Sequence, residues 1–174
     1  MRYHLIIKSP FGYCAIIFTK NPFTLKQVLL PQQNLKNILS ELKTKQTTEE
    51  KKDKNGNKIA SAIKNYFNNQ IPIKIDWNIL DLEMSPFYEK ALLKTAEIPF
   101  SEVCSYKDIA VKAGSPKASR AVGNALAANP FPIIIPCHRV IKSDRKIGKF
   151  GGGSQLKAKM INMERKAKEL PPLY

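Results

Sequence analysis

The chain has 174 residues, 43% of them apolar, with 29 Lys and Arg against 14 Asp and Glu for a formal net charge of +15. That apolar share supports a core in one domain or two small ones, and no run reaches the length of a membrane span. The N-terminus lacks the apolar block and cleavage site of a signal peptide, so an intracellular protein is expected, and its charge points to a polyanionic partner, nucleic acid first.

Residues 3–7 and 13–19 flank Lys8-Ser9-Pro10-Phe11-Gly12, whose Pro and Gly suit a turn, and together they predict a β-hairpin. A third strand is expected near Thr24–Leu30, ended by Pro31. Leu35, Ile38, Leu39 and Leu42 then fall at helical spacing. Lys43–Lys58 is polar, charged and carries Asn55-Gly56-Asn57, which predicts a solvated loop. Ile59, Ala62, Ile63, Tyr66 and Phe67 form a second helical stripe. Strands followed by helices indicate an α/β domain over residues 1–80, in which His4 and Cys14 read as ordinary strand residues. Ile71–Leu82 is a connector, and a second domain is expected over residues 81–174.

Ser85-Pro86 opens a helix running to about Glu97, and Pro99 ends it. Ser105 is a good N-cap for Tyr106–Ala113, with Gly114 as the stop. Ser115-Pro116 opens another helix, to about Ala128, closed by Asn129-Pro130. Two short helices around a tight Gly turn form a helix-turn-helix pattern. In the second helix Ala118, Ala121, Gly123, Ala125, Ala127 and Ala128 leave little bulk. Such residues permit close helix packing; they also let a helix approach DNA, with Lys117 and Arg120 reaching phosphates or the base stack.

Ile133-Ile134-Ile135 reads as a buried strand that Pro136 ends, with Cys137 at its exit and His138 alongside. A thiol beside an imidazole suits a reactive cysteine, because the thiolate is the nucleophile and a base helps to form it. A buried structural cysteine is the alternative, and the residues alone leave both readings open. The three cysteines, Cys14, Cys104 and Cys137, are odd in number and far apart, which argues against a disulfide framework or a CxxC metal site. Two histidines, His4 and His138, are too few for an ordinary zinc site, and no metal is expected. Ile147–Gly153 is a glycine-rich loop without the lysine-serine pattern of a P-loop. Ser154–Leu170 predicts a last helix with Leu156, Met160, Met163, Ala167 and Leu170 on one stripe and Pro171-Pro172 as its stop. Read alone, Glu164 is a surface helix residue.

Pro136-Cys137-His138-Arg139-Val140 resembles the signature of the O6-alkylguanine–DNA alkyltransferases, strongly through the C-terminal half and weakly through the N-terminal half. The resemblance implies a ribonuclease-H-like α/β N-terminal domain and a mainly helical, winged helix-turn-helix C-terminal domain. It implies direct-reversal repair of double-stranded DNA. The alkyl group of O6-alkylguanine, with O4-alkylthymine as a second candidate, would pass irreversibly to Cys137, once per chain and without a cofactor. Guanine O6 is hidden from a protein site until the base leaves the stack, so base flipping is part of that expectation.

Residue by residue, the resemblance makes His138 the group that takes the Cys137 proton through a water, with Glu164 orienting it. Tyr106, in Ser105-Tyr106-Lys107-Asp108-Ile109-Ala110, would turn the nucleotide outward. Arg120, in Ala118-Ser119-Arg120-Ala121-Val122-Gly123, would fill the vacated space from a helix laid in the minor groove, with Lys117, Ser119, Ala121 and Gly123 at the DNA. Asn129 would hold the turn between that helix and the active-site strand. Pro132, Val140, Ile147, Phe150, Gly151 and Lys157 would form the substrate pocket. A monomer is expected, with cooperative binding on DNA left open, in the cytoplasm of a prokaryote at the nucleoid or in a eukaryotic nucleus. Phe150 stands where tyrosine is frequent, and Gly151-Gly152-Gly153 should make the pocket roomier or more mobile. The segment Phe87–Lys94 lacks a tryptophan often found there, which bears on packing. Three other readings compete. A lesion binder without transfer usually lacks the cysteine. A winged-helix regulator with a redox cysteine leaves Glu164 and the glycine loop unexplained. A cysteine hydrolase needs a separate His and Asn/Asp pair.

Overall fold

Ser9 and Gly12 close the first turn: the Ser9 hydroxyl donates to the Gly12 carbonyl at 2.9 Å and accepts from the Phe11 N–H at 3.2 Å. The computed structural model describes residues 1–49 and 52–174; Glu50 and Lys51, inside the segment read above as a loop, lie outside the described residues. The chain divides into two compact units, Met1–Asp81 and Leu82–Tyr174. No helix among the described residues is long and apolar enough to cross a membrane.

In the first unit β1 (Arg2–Ser9), β2 (Gly12–Thr19) and β3 (Thr24–Gln32) form an antiparallel meander, and β4 (Thr47–Glu49) joins β1 in parallel, giving the order β3-β2-β1-β4. The unit is α/β, as expected, and its sheet is mixed. Cys14 through Phe18 are all buried, so the central strand β2 is covered on both faces. Ala15 and Ile17 pack with Ile38 and Leu42 of α1 (Leu35–Thr44). Phe18, with Leu5 of β1, meets α2 (Lys54–Asn69) at Gly56. Alternate side chains of one strand point to opposite faces, which is how one apolar run serves two helices.

Two expectations need correction here. Pro31 does not end β3: the ladder shifts register between Ala15↔Leu29 and Tyr13↔Gln32, so the proline falls at an irregularity of an edge strand, where its missing N–H costs nothing. Nor is Lys43–Lys58 a loop, because it holds β4 and the first turn of α2. Asp53 caps that helix, its carboxylate accepting from the Gly56 N–H at 2.7 Å. Gly56 lets the polar turn press on the sheet; a Cβ there would lie 2.9 Å from Phe18 Cζ and 3.1 Å from Leu5 Cδ1.

In the second unit α3 (Pro86–Ala96), α4 (Tyr106–Lys112) and α5 (Ser119–Ala127) pack on one another. Ser105 and Asp108 form a full capping box at the start of α4, and Gly114, at φ +79°, ends the passage after it. The helix expected from Pro116 begins later, at Ser119. Residues 115–118 form a separate turn, closed by Ala118 N–H on the Ser115 carbonyl at 2.9 Å. Two residues of β5 (Cys104–Ser105) pair in parallel with β6 (Val140–Ile141). The last helix, α6 (Gly153–Lys166), turns a different face inward from the expected stripe: Lys157, Met160, Ile161 and Glu164 are buried, while Leu170 is exposed and beyond the helix. Apolar spacing could not find that face, because two of its four members carry charge.

Gly56→Val tests the contact between α2 and the sheet. The added methyls overpack the contact and should cost about 1–3 kcal/mol, lowering the urea midpoint with the slope unchanged. An unaltered midpoint would show that α2 does not rest on Phe18.

Candidate active site

The turn before Cys137 is built by prolines and one amide. Pro130, Pro132 and Pro136 have no N–H, so the segment cannot donate along a ladder. The strand expected at Ile133–Ile135 is accordingly a tight turn: Ile135 N–H reaches the Phe131 carbonyl at 2.8 Å, and Ile133 is in the left-handed region at φ 76°. The three isoleucines are nonetheless buried, at 3%, 8% and 0% exposure. Asn129 fastens the turn at both ends, accepting from Phe131 N–H at 2.9 Å and donating to the Ile135 carbonyl at 3.0 Å. A β-branched residue at positive φ is strained and persists only where its surroundings hold it. Burial of the isoleucines and the Asn129 clamp do so here.

Cys137, His138 and Arg139 then form a 3₁₀ turn, in which Arg139 N–H donates to the Pro136 carbonyl at 2.9 Å and Val140 N–H to the Cys137 carbonyl. In an extended strand, neighbouring side chains would point to opposite sides. The 3₁₀ turn instead brings His138 and Arg139 to one carboxylate. His138 Nε2 lies 2.8 Å from Glu164 Oε1. Arg139 donates through Nε to Oε2 and through a terminal nitrogen to Oε1, both at 2.9 Å, and its other terminal nitrogen reaches the Ile98 carbonyl at 2.8 Å. Ser101 N–H donates to Oε2 at 3.0 Å. All of these side chains are buried. The sequence reading places Arg139 in the signature but gives it no role. Its signal was present all the same, as a guanidinium set in an otherwise apolar, buried run.

Burial alone would raise the Glu164 pKa, but the charges and hydrogen bonds of His138 and Arg139 outweigh it and hold the carboxyl well below the usual carboxylate range. For His138, burial lowers the pKa, and the charges of Arg139 and Lys157 add to that against the pull of Glu164. The imidazole is therefore neutral near pH 7. With Nε2 donating to the carboxylate, Nδ1 carries the lone pair and is the basic nitrogen.

Cys137 is on the floor of a cleft of about 1280 Å³. Burial pushes its thiol up, partly offset by the Asn129 amide, the Lys157 charge and the N–H groups of Cys137 and His138. The resting group is a thiol that needs a base. Cys14, raised to about 12 by burial, and Cys104, beside Asp108, do not line the cleft.

The cleft gathers Tyr106 of α4 with Lys117, Ser119, Arg120 and Gly123 at α5, and, opposite them, Ile147, Phe150 and Gly151. Tyr106 is seated between two glycines. A Cβ on Gly123 would lie 4.0 Å from its ring, and one on Gly148, at φ +74°, would lie 3.2 Å from its hydroxyl. That hydroxyl donates to the Lys149 carbonyl at 3.4 Å. The Phe150 ring stands edge-on to His138 with centroids 6.5 Å apart. Ala121 is half buried on α5 and does not line the cleft, and Pro132, Val140 and Lys157 are buried behind it. Sequence reasoning missed Lys142, Lys146 and Lys149, which add cations along the rim; the basic run Lys142–Lys149 was their visible signal. Among the described residues no group of three or more His, Cys, Asp or Glu is placed to hold a metal ion.

The folded pKa of Glu164 lies below its unfolded value, so the stability it contributes is complete above about 4.5 and is withdrawn as the pH falls below that value. Glu164→Gln leaves Arg139 buried against a neutral amide and should cost about 3–5 kcal/mol at pH 7. Urea unfolding as a function of pH should also show a shallower loss on the acid side than in the unaltered chain. Parallel acid-side slopes would contradict the assignment.

Comparison with known proteins identifies the relatives of the chain. Residues 86–166 match the family model described as the DNA-binding domain of 6-O-methylguanine DNA methyltransferase. The constitutive methylated-DNA–protein-cysteine methyltransferase of Bacillus subtilis is 32% identical over 167 residues, covering 95% of this chain and 96% of that protein. The protein of the same name from Rattus norvegicus is 49% identical over 74 residues, 42% of this chain, and the match spans 35% of the rat protein's own length. The crystal structure of Mycobacterium tuberculosis O6-methylguanine methyltransferase aligns with a TM-score of 0.78 at 28% identity, over 96% of this chain and 94% of that one. OGT from the same organism, in complex with DNA, aligns at 0.77 and 26% identity, over 98% and 96%. With a near-full-length relative and matching structures on one side and the Cys137–His138–Glu164 arrangement on the other, the chain belongs to the methylated-DNA–protein-cysteine methyltransferase family.

Proposed function

We propose that this chain repairs alkylated DNA by direct reversal, moving the alkyl group of O6-alkylguanine, and secondarily of O4-alkylthymine, onto Cys137 once per chain. The observation that carries the reading is the Cys137 thiol on the floor of an open, cation-rimmed cleft, with a neutral imidazole next to it and a clamped carboxylate behind. His138 takes the thiol proton through a bridging water. Glu164 holds the ring and stabilises the imidazolium, and Arg139 keeps Glu164 charged so that the proton stops at histidine. Sulfur then attacks the alkyl carbon, the bond from that carbon to O6 breaks, and its electron pair stays with guanine. The guanine anion regains one proton, which balances the one taken from the thiol. The product thioether has no route back.

Double-stranded DNA is the partner in this reading, and α5 is the element laid in its minor groove. Lys117 and Arg120 are exposed there. Arg120 occupies the space that the flipped nucleotide leaves, and Tyr106 helps to turn the nucleotide outward. We read residues 1–80 as a ribonuclease-H-like support and residues 81–174 as a winged helix-turn-helix domain, the α4–Gly114–α5 passage supplying the two helices. The protein acts as a monomer in the compartment that holds the DNA, needing no cofactor.

Two variants test the reading on one oligonucleotide. Cys137→Ala should end transfer while duplex binding persists; residual transfer would place the nucleophile elsewhere. Arg120→Ala should slow repair in duplex by about tenfold or more yet leave reaction with free O6-benzylguanine nearly unchanged, since only duplex requires flipping. Equal slowing of both reactions would remove Arg120 from that role.

A further inference from the structure

Between β6 and the glycine loop, Lys142, Arg145, Lys146 and Lys149 crowd one short stretch, with Asp144 as its single acid. Residues 142–146 form a closed turn. Lys142 N–H donates to the Lys146 carbonyl at 2.9 Å and Arg145 N–H to the Lys142 carbonyl at 3.0 Å. Arg145 is in the left-handed region at φ 64°, and the Asp144 carboxylate accepts from Lys146 N–H at 3.1 Å. The ion pair of Lys146 with Asp144, at 3.1 Å and with side chains 75% and 52% exposed, offsets little of the repulsion among the cations. Lys142, Ser143 and Lys146 line the cleft, whereas Asp144 and Arg145 do not. A turn so charged and so exposed needs a hold from outside to keep one shape.

That hold comes from the segment after α6. Leu170 N–H donates to the Arg165 carbonyl at 2.9 Å, Arg165 Nε donates to the Pro171 carbonyl at 2.7 Å, and Glu169 is at φ 56°, so the chain reverses there. It returns to Asn162, whose side chain grips the backbone from both sides. The amide oxygen accepts from Leu173 N–H at 2.8 Å and from Tyr174 N–H at 3.4 Å, and the amide nitrogen donates to the Tyr174 main-chain oxygen. The Tyr174 hydroxyl then donates to the Arg145 carbonyl at 2.8 Å. Among the described residues, this is the one hydrogen bond that reaches residues 143–146 from outside the turn.

From this arrangement we infer that Tyr174 is a positioning residue for DNA binding, holding the rim turn at Arg145 so that Lys142 and Lys146 meet the phosphates of a duplex in the cleft. The inference rests on the reading of the cleft as the DNA-binding face and deepens it. Phosphates repeat at a fixed spacing along a duplex. Cations on a fixed turn are placed before contact, whereas cations on a loose one must be ordered during binding, which subtracts from affinity. The support is also shared. Asn162 and Glu164 belong to the same helix, so one element anchors both the rim turn and the carboxylate behind His138. If Tyr174 served only to cover α6, a phenylalanine would do as well; the hydroxyl is what the Arg145 carbonyl requires.

The test is binding of the full chain to an undamaged, fluorescein-labelled duplex over a range of salt concentrations. Tyr174→Phe keeps the ring and loses the bond to Arg145. It should weaken binding about threefold to tenfold at low salt and reduce the slope of log affinity against log salt by about one. A merely structural role would lower the folded fraction and leave the affinity and slope of the folded molecules unmoved. In a chain already carrying Lys142→Gln and Lys146→Gln, Tyr174→Phe should add almost nothing, because the cations it positions are gone. Salt profiles of Tyr174→Phe that overlie those of the unaltered chain, or full additivity with the two lysine changes, overturn the proposal. The duplex carries no lesion, so the result is independent of alkyl transfer. Weakened binding in a chain that takes no alkyl group from DNA would overturn the functional reading and support the role of Tyr174. Overlaid profiles in a chain that does repair would overturn that role alone, and an unaltered chain that binds no duplex would overturn both.

Discussion

Glu164 ties three parts of the second unit at one point. Its two oxygens receive His138 and Arg139 from the turn after Pro136, and Ser101 N–H from the loop after α3, while the residue itself belongs to α6. A buried carboxylate is tolerated only when its lone pairs are satisfied and its charge is matched, and both conditions are met here. The constraint runs outward from there. The 3₁₀ turn at Cys137 has to place two consecutive side chains on one acceptor, which a strand could not do, and the proline-rich turn before it has to deliver the chain in that conformation. Asn129 and the buried isoleucines fix that delivery, even with Ile133 held at positive φ.

The chemistry follows from the same arrangement. In the proposed reaction Arg139 matches the Glu164 charge, so the acid orients the imidazole without becoming a competitor for its proton. Because His138 is neutral, a base is at hand beside a thiol that burial keeps protonated. The cleft adds access and charge. Its tyrosine is seated against Gly148, where a side chain would crowd the hydroxyl and the positive φ would strain it, with Gly123 at ordinary contact distance on the other side. Its rim carries the lysines of the segment between β6 and the glycine loop. In the proposed reaction, reactivity is thus kept in a buried cluster and recognition is spread over an exposed surface.

Much of this was legible in the residues. The hairpin, the third strand, the two helices of the first unit and the capped helix at Tyr106 follow from turn chemistry, apolar period and capping, although of the first stripe only Ile38 and Leu42 are buried while Leu35 and Leu39 are exposed. Pro136-Cys137-His138 marked the site. What was hidden had non-local causes. Asn55-Gly56-Asn57 reads as a loop until the sheet beneath it explains why a glycine is needed within a helix. Ile133-Ile134-Ile135 reads as a strand because apolar content does not distinguish a buried strand from a buried turn. Apolar spacing does not find the inner face of α6, because Lys157 and Glu164 are the last residue types expected in a core; the resemblance alone singles them out, and their partners, Val140 and His138 with Arg139, make them belong there.

The central claim is that Cys137 is the atom-accepting end of a one-time transfer. Its most direct test is the mass of the intact protein after incubation with an oligonucleotide containing O6-methylguanine, followed by peptide mapping. A gain of a single methyl group, saturating at one per chain and located on Cys137, is the predicted result. An unchanged mass with tight lesion binding would make the chain a binder without transfer, and methylation at any other residue would contradict the account of the site.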